Sequence, residues 1–114
     1  MNKIFFLSVI FIFLSCEKID CERLSKITRE EECLLVVKKI NDSNSVYNFD
    51  INGQSLKTFK DTLYKEQNRW FCTYYKYLVK GDTIIKRKGE LVFNIHKKDT
   101  ILSFNWECEG KVYK

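Results

Sequence analysis

The stretch GDTIIKRKGELVFNIHKKDTILSFNWEC, residues 81–108, decides the fold. It contains three runs rich in β-branched and aromatic residues: Thr83 to Arg87, Leu91 to His96 and Thr100 to Cys108. Turn-forming residues separate them: Gly81-Asp82 before the first, Gly89 before the second and Lys97-Lys98-Asp99 before the third. Short apolar runs with such punctuation predict an antiparallel meander. Alternation assigns faces: Leu91, Phe93 and Ile95 point one way on one strand, and Leu102, Phe104, Trp106 and Cys108 share a face on the next.

Upstream of this block, Trp70 to Val79 is dense in residues of high β propensity and reads as a further strand, with Trp70, Cys72, Tyr74 and Leu78 on one side. Val46 to Ile51 alternates, and Asn52-Gly53 behind it is a strong turn signal. Leu34 to Ile40 fits a strand because Val36, Val37 and Ile40 are β-branched. A helix started by a capping box at Thr28-Arg29-Glu30-Glu31 is the alternative. Leu56, Phe59 and Leu63 stand three and four apart, so Ser55 to Gln67 is a short amphipathic helix or a structured loop. Gly53, Gly81, Gly89 and Gly110 all fall at expected turns, and the chain has no proline. The expected fold is mainly β (α+β as the wider possibility): a small antiparallel meander or partly open barrel with at most one or two short helices.

At the other end of the chain, Lys3 is followed by the apolar run Ile4 to Leu14, and then Ser15-Cys16. This is the order of a signal peptide. The apolar run is about half the ~20 residues of a membrane-spanning helix. The junction Phe13-Leu14-Ser15-Cys16 resembles a lipobox, the cleavage motif of bacterial lipoprotein precursors. Ser15 and Cys16 match the strict motif, whereas Phe13 and Leu14 depart from it. The resemblance implies removal of residues 1–15 and lipidation of Cys16 by a thioether-linked diacylglycerol and an amide-linked acyl chain. The expected organisation is then a signal peptide at 1–15, a lipid-anchored tether with some helix at 16–32, and a β-rich domain at 33–114.

Removing residues 1–15 from the 114 leaves 99, one small domain, with a formal charge of +4 once Lys3 is gone. The basic residues are spread out, with denser clusters at 86–88 and 97–98, so a solvated surface accounts for them. With Cys16 assigned to lipid, Cys21, Cys33, Cys72 and Cys108 form an even set, suited to disulfides in an oxidising compartment. Four cysteines allow three connectivities. Alternation favours Cys72 with Cys108, which leaves Cys21 with Cys33. No C-x-x-C pair is present, so no metal site is expected.

Residues 81–90, Ile95-His96-Lys97-Lys98-Asp99-Thr100 and Trp106-Glu107-Cys108-Glu109-Gly110 together resemble a recurring group of short bacterial lipoproteins. The similarity covers about residues 69–114, with a weaker echo in 32–49, and implies no activity. No cofactor and no catalytic residue is expected. His96, the only histidine, falls at a strand end, and Asp82 and Asp99 sit where turn carboxylates accept backbone N–H groups. The aromatic supply exceeds what one sheet face needs, so Tyr75 and Tyr77, with Lys97 and Lys98, are the expected binding surface. Nucleic acid fits poorly with export. The expected role is a non-enzymatic envelope module, held to a membrane outside the cytoplasm by its lipid and binding a protein or other envelope component. The alternative is an immunity or inhibitor lipoprotein directed against a secreted toxin.

Overall fold

The structure, a computed structural model, describes residues 19–41 and 47–114. The expected signal peptide and Cys16 lie outside the described residues. Over these residues the fold is an open antiparallel sheet of seven strands with two short helices. The meander at the C-terminal end forms as expected: β4 (Thr83–Lys86), β5 (Val92–His96), β6 (Ile101–Cys108) and β7 (Lys111–Tyr113) pair in succession. Ile84 lies opposite Ile95, Ile95 opposite Leu102, and Phe93 opposite Phe104, which puts all of them on one face. Gly81, Gly89 and Gly110 turn the chain with φ of 97°, 90° and 77°.

A second meander, β1 (Cys33–Ile40), β2 (Asn48–Ser55) and β3 (Asp61–Gln67), joins the first through β1 and β4, so the strand order is β3-β2-β1-β4-β5-β6-β7. The strand reading of 34–40 is right, because Leu35 and Val37 are fully buried and alternate with half-buried Leu34 and Val36. Thr28-Arg29-Glu30-Glu31 starts no helix; it ends one. The helix α1 (Cys21–Glu30) starts at Asp20, whose carboxylate accepts from the Arg23 N–H at 3.1 Å, and stops at Glu31, which is extended.

Two turn and helix expectations are corrected in this half. Asn52-Gly53 is not a turn but the middle of β2, where Gly53 lies opposite both Val37 and Thr62. A Cβ there would meet the Val36 carbonyl oxygen at 2.4 Å and Leu35 Cγ at 2.7 Å, so this glycine allows β1 to approach beside its bulge between Val37 and Lys39. Ser55 to Gln67 is not a helix but a tight turn and β3. Ser55 Oγ accepts from the N–H groups of Lys57 (3.1 Å) and Thr58 (3.2 Å), which reverses the chain and leaves Phe59 72% exposed at φ 60°.

Trp70 to Val79 is not a strand either. It forms a helical turn, α2 (Arg69–Cys72), then a 3-10 turn (Tyr75–Tyr77), and crosses the inner sheet face to bring the chain from the β3 edge back to β4. Asn68 starts it: its side-chain oxygen accepts from the N–H groups of Trp70 and Phe71 at 3.0 and 3.2 Å. Phe71, Tyr74, Tyr75 and Leu78 recur at helical spacing and pack onto the sheet. Ring contacts run from Tyr64 through Phe49, Phe71, Phe93 and Tyr74 to Phe104. Phe49, Phe71 and Phe93 are fully buried at the centre of this core.

α1, within the segment read as a tether, is fastened to the sheet at both ends. At its start, Cys21 is bonded to Cys108 at the end of β6. At its finish, the fully buried Lys86 of β4 donates to the carbonyls of Thr28 (2.9 Å), Arg29 (3.2 Å), Glu31 (2.5 Å) and Arg87 (3.1 Å). The expected cysteine pairing is therefore corrected. Cys72 ends a helical turn instead of facing Cys108 across a sheet, and Cys33 is buried in central β1; both are free thiols.

The bridge closes a loop of 87 residues in sequence separation, which in the chain-entropy model contributes about 4.6 kcal/mol. Replacing both Cys21 and Cys108 by Ser should lower the urea midpoint strongly, while Cys72→Ser should leave it within the scatter of a surface substitution. Lys86→Met strips a charged donor from four carbonyls. It should cost about 3 kcal/mol in the same urea titration.

Candidate binding surface

The four residues expected to form the binding surface have different surroundings. Tyr75 is half-buried, with its ring 4.9 Å from Phe49. Its hydroxyl accepts from the Asp50 N–H and donates to the Asn48 carbonyl at 3.2 Å, so it closes α2 and the 3-10 turn onto β2. Lys97 is half-buried and pairs with the buried Asp82 carboxylate at 2.5 Å. Asp82 also accepts from the Val79 N–H at 2.9 Å, the turn role read for it in the sequence. Tyr77 is exposed at 38% and stacks on Phe104 at 5.1 Å, with the Lys76 ammonium 5.2 Å from its ring. Lys98 is exposed on the β5–β6 turn. The surface thus keeps Tyr77 and Lys98 outward, while Tyr75 and Lys97 hold the fold.

The inner face of the sheet carries α1, α2 and the 3-10 turn, and no described element covers the outer face. There, half-buried Leu34 lies opposite Ile85, with Val36 opposite Thr83. Val92, Asn94 and His96 continue the face across β5, and Ser103 donates to the Asn94 side-chain oxygen at 2.6 Å. At the β3 side, two shallow depressions of about 280 and 340 Å³ are lined by Asn48, Asp50, Lys65, Glu66 and Gln67 and by Lys38, Asn52, Gly53, Asp61, Thr62 and Leu63. His96 is half-buried, with Thr83 and Ile101 as its cross-strand neighbours. Aliphatic patches separated by amides and hydroxyls suit contact with a protein or peptide more than the enclosure of a small molecule.

The free thiols are not activated. Burial pushes the Cys33 thiol far above its ordinary value, and Cys72 is raised for the same reason, helped by the Asp50 carboxylate. Among the described residues no group of three or more His, Cys, Asp or Glu is placed to hold a metal ion. α1 also shows an unusual distribution. It buries Cys21, Ser25 and Thr28 against the sheet, while Leu24 and Ile27 stay 40% and 49% exposed, close to Ile19 at 55%. The apolar side chains of this helix are thus its outward ones. Compared with known protein families, curated proteins and solved structures, the chain matches none.

The two tyrosines can be told apart by removing their hydroxyls alone. Tyr75→Phe leaves a part-buried Asp50 N–H without its partner and should cost about 1 kcal/mol or more in chemical denaturation. Tyr77→Phe should be neutral within about 0.5 kcal/mol.

Proposed function

We propose that the chain is an exported lipoprotein, anchored through Cys16, that acts as a non-enzymatic binding module of the cell envelope. The observation that carries this reading is the Cys21–Cys108 disulfide, a bond suited to oxidising compartments, five residues beyond a lipobox-like junction. Five peptide steps span at most about 18 Å, so a lipid on Cys16 keeps the start of α1 near the bilayer surface. The outward Ile19, Leu24 and Ile27, interleaved with Arg23 and Lys26, suit such an interface: apolar side chains for the acyl boundary and basic ones for anionic headgroups. Several acyl chains contribute roughly 0.8 kcal/mol per buried methylene, which anchors the domain without help from protein contacts. With α1 turned to the membrane, the outer sheet face and Tyr77 are left for a protein or other envelope component.

Metabolic labelling with palmitate in a bacterial host, followed by intact mass measurement, tests the anchor. The parent should carry label and lack residues 1–15, and Cys16→Ser should carry no label. A parent chain without label, or one that retains residues 1–15, would overturn the reading.

A further inference from the structure

The two ends of α1 are held by different means. At its last turn, besides the carbonyls that surround Lys86, the Gly89 N–H donates to the Arg29 carbonyl at 2.6 Å and the Arg29 guanidinium donates back to the Gly89 carbonyl at 3.1 Å, while Lys88 pairs with Glu30 at 3.3 Å. Residues 19–27 have no comparable partners. Their hydrogen bonds stay inside the helix, as from the Arg23 N–H to Asp20 and from Ser25 Oγ to the Glu22 carbonyl. Among the described residues no hydrogen bond or ion pair joins this stretch to the sheet, and the Cys21–Cys108 bond fastens it instead.

Apolar packing adds little there. Cys21 and Ser25 are the buried positions of the stretch, Leu24 and Ile27 face outward, and no residue of α1 belongs to the core around Phe49, Phe71 and Phe93. The sheet therefore assembles its core without the helix, and the first two turns of the helix depend on one covalent bond.

We propose that the Cys21–Cys108 disulfide is a redox clasp: opened by a dithiol, it releases the first two turns of α1 from the sheet and lengthens the segment that joins the domain to residue 16. Cys108 is half-buried and the more exposed of the two cysteines. A thiolate of the dithiol attacks Cys108 Sγ, the bond between the two cysteine sulfurs breaks, and Cys21 leaves as a thiolate that takes up a proton. The second thiol of the reductant then displaces Cys108 from the mixed disulfide. The dithiol is oxidised to a disulfide, and the two electrons and two protons it gives up leave both cysteines as thiols.

The release stops at the last turn, which keeps its own bonds. A helix as short as α1 is marginal in water by itself, so residues 21–27 unwind once detached. With the clasp closed, five peptide steps join residue 16 to Cys21, at most about 18 Å. With it open, twelve steps join residue 16 to Thr28, whose carbonyl Lys86 still holds, at most about 43 Å. On a chain lipidated at Cys16 the difference sets how far the outer sheet face and Tyr77 stand from the bilayer. That consequence rests on the anchor proposed above, whereas the release of α1 does not.

The test uses the full-length chain in phosphatidylethanolamine and phosphatidylglycerol vesicles that carry a dansyl headgroup lipid, with dithiothreitol as the dithiol. Amide hydrogen exchange at residues 21–27 should quicken at least about tenfold on reduction, while β1, β4 and β5 keep their protection. A chain with both Cys21→Ser and Cys108→Ser should show the same pattern without reductant. Dithiothreitol should then add nothing, which excludes an effect through the free thiols Cys33 and Cys72. Energy transfer to the dansyl lipid from Trp70 and Trp106, the two tryptophans of the chain, should fall as the clasp opens. Three results count against the proposal: residues 21–27 still protected after reduction, β1, β4 and β5 losing protection together with them, or unchanged energy transfer in a lipidated chain whose α1 is released. Palmitate label read on the same sample separates the clasp from the anchor, since release of α1 in an unlabelled chain removes the anchor and keeps the clasp.

Discussion

A lysine ammonium with no solvent exposure is tolerable only when oxygen atoms replace its hydration shell, and the four carbonyls around Lys86 do so. They come from the last turn of α1, from Glu31 just before β1, and from Arg87 after β4. The cation therefore sits where the negative end of the helix, the start of the central strand and the end of its neighbour converge. Burial lowers the pKa of the ammonium, and the Glu31 carboxylate acts in the opposite direction. Glu31 is in turn the acceptor for the Asn68 side-chain amide, and the oxygen of that amide caps α2. One polar chain thus runs from β4 through α1 to the helical crossing.

This network explains how so short a chain closes a core. Most of the apolar contribution comes from Phe49, Phe71, Phe93 and the aliphatic residues of β1, β4 and β5. α1 adds little apolar surface, since its buried face is Cys21, Ser25 and Thr28. It stays on the sheet because a covalent bond holds its first turn and a caged cation holds its last. A helix held in this way can turn its leucine and isoleucine outward, which a helix bound by its apolar stripe cannot.

Strand existence in the C-terminal meander and in β1 was legible because period-two burial and glycine turns agree there. The crossing was not, since aromatic residues favour strands on average while Phe71, Tyr74, Tyr75 and Leu78 carried a helical spacing that competed with that preference. Asn68, the residue that settles it, is an ordinary polar residue until its cap is seen. Gly53 misleads for a related reason: glycine marks both turns and close backbone approach, and only the neighbouring strand distinguishes them. The cysteine pairing followed the misread crossing, because Cys72 was given a face it does not have. Lys86 was hidden in a basic cluster, 86–88, whose other members are exposed. Of the candidate surface, Tyr77 and Lys98 were legible as outward, whereas the backbone partners of Tyr75 and the Asp82 partner of Lys97 depend on tertiary contacts that no spacing encodes.

The two outer strands of the β1–β6 ladder, β3 and β6, differ in charge. Exposed edges are ordinarily protected by charge, and β3 follows that rule, with Asp61 also paired to Lys38 at 2.6 Å. β6 has charge available nearby, Lys97, Lys98 and Asp99 before it and Glu107 and Glu109 after it, yet none lies between Ile101 and Asn105.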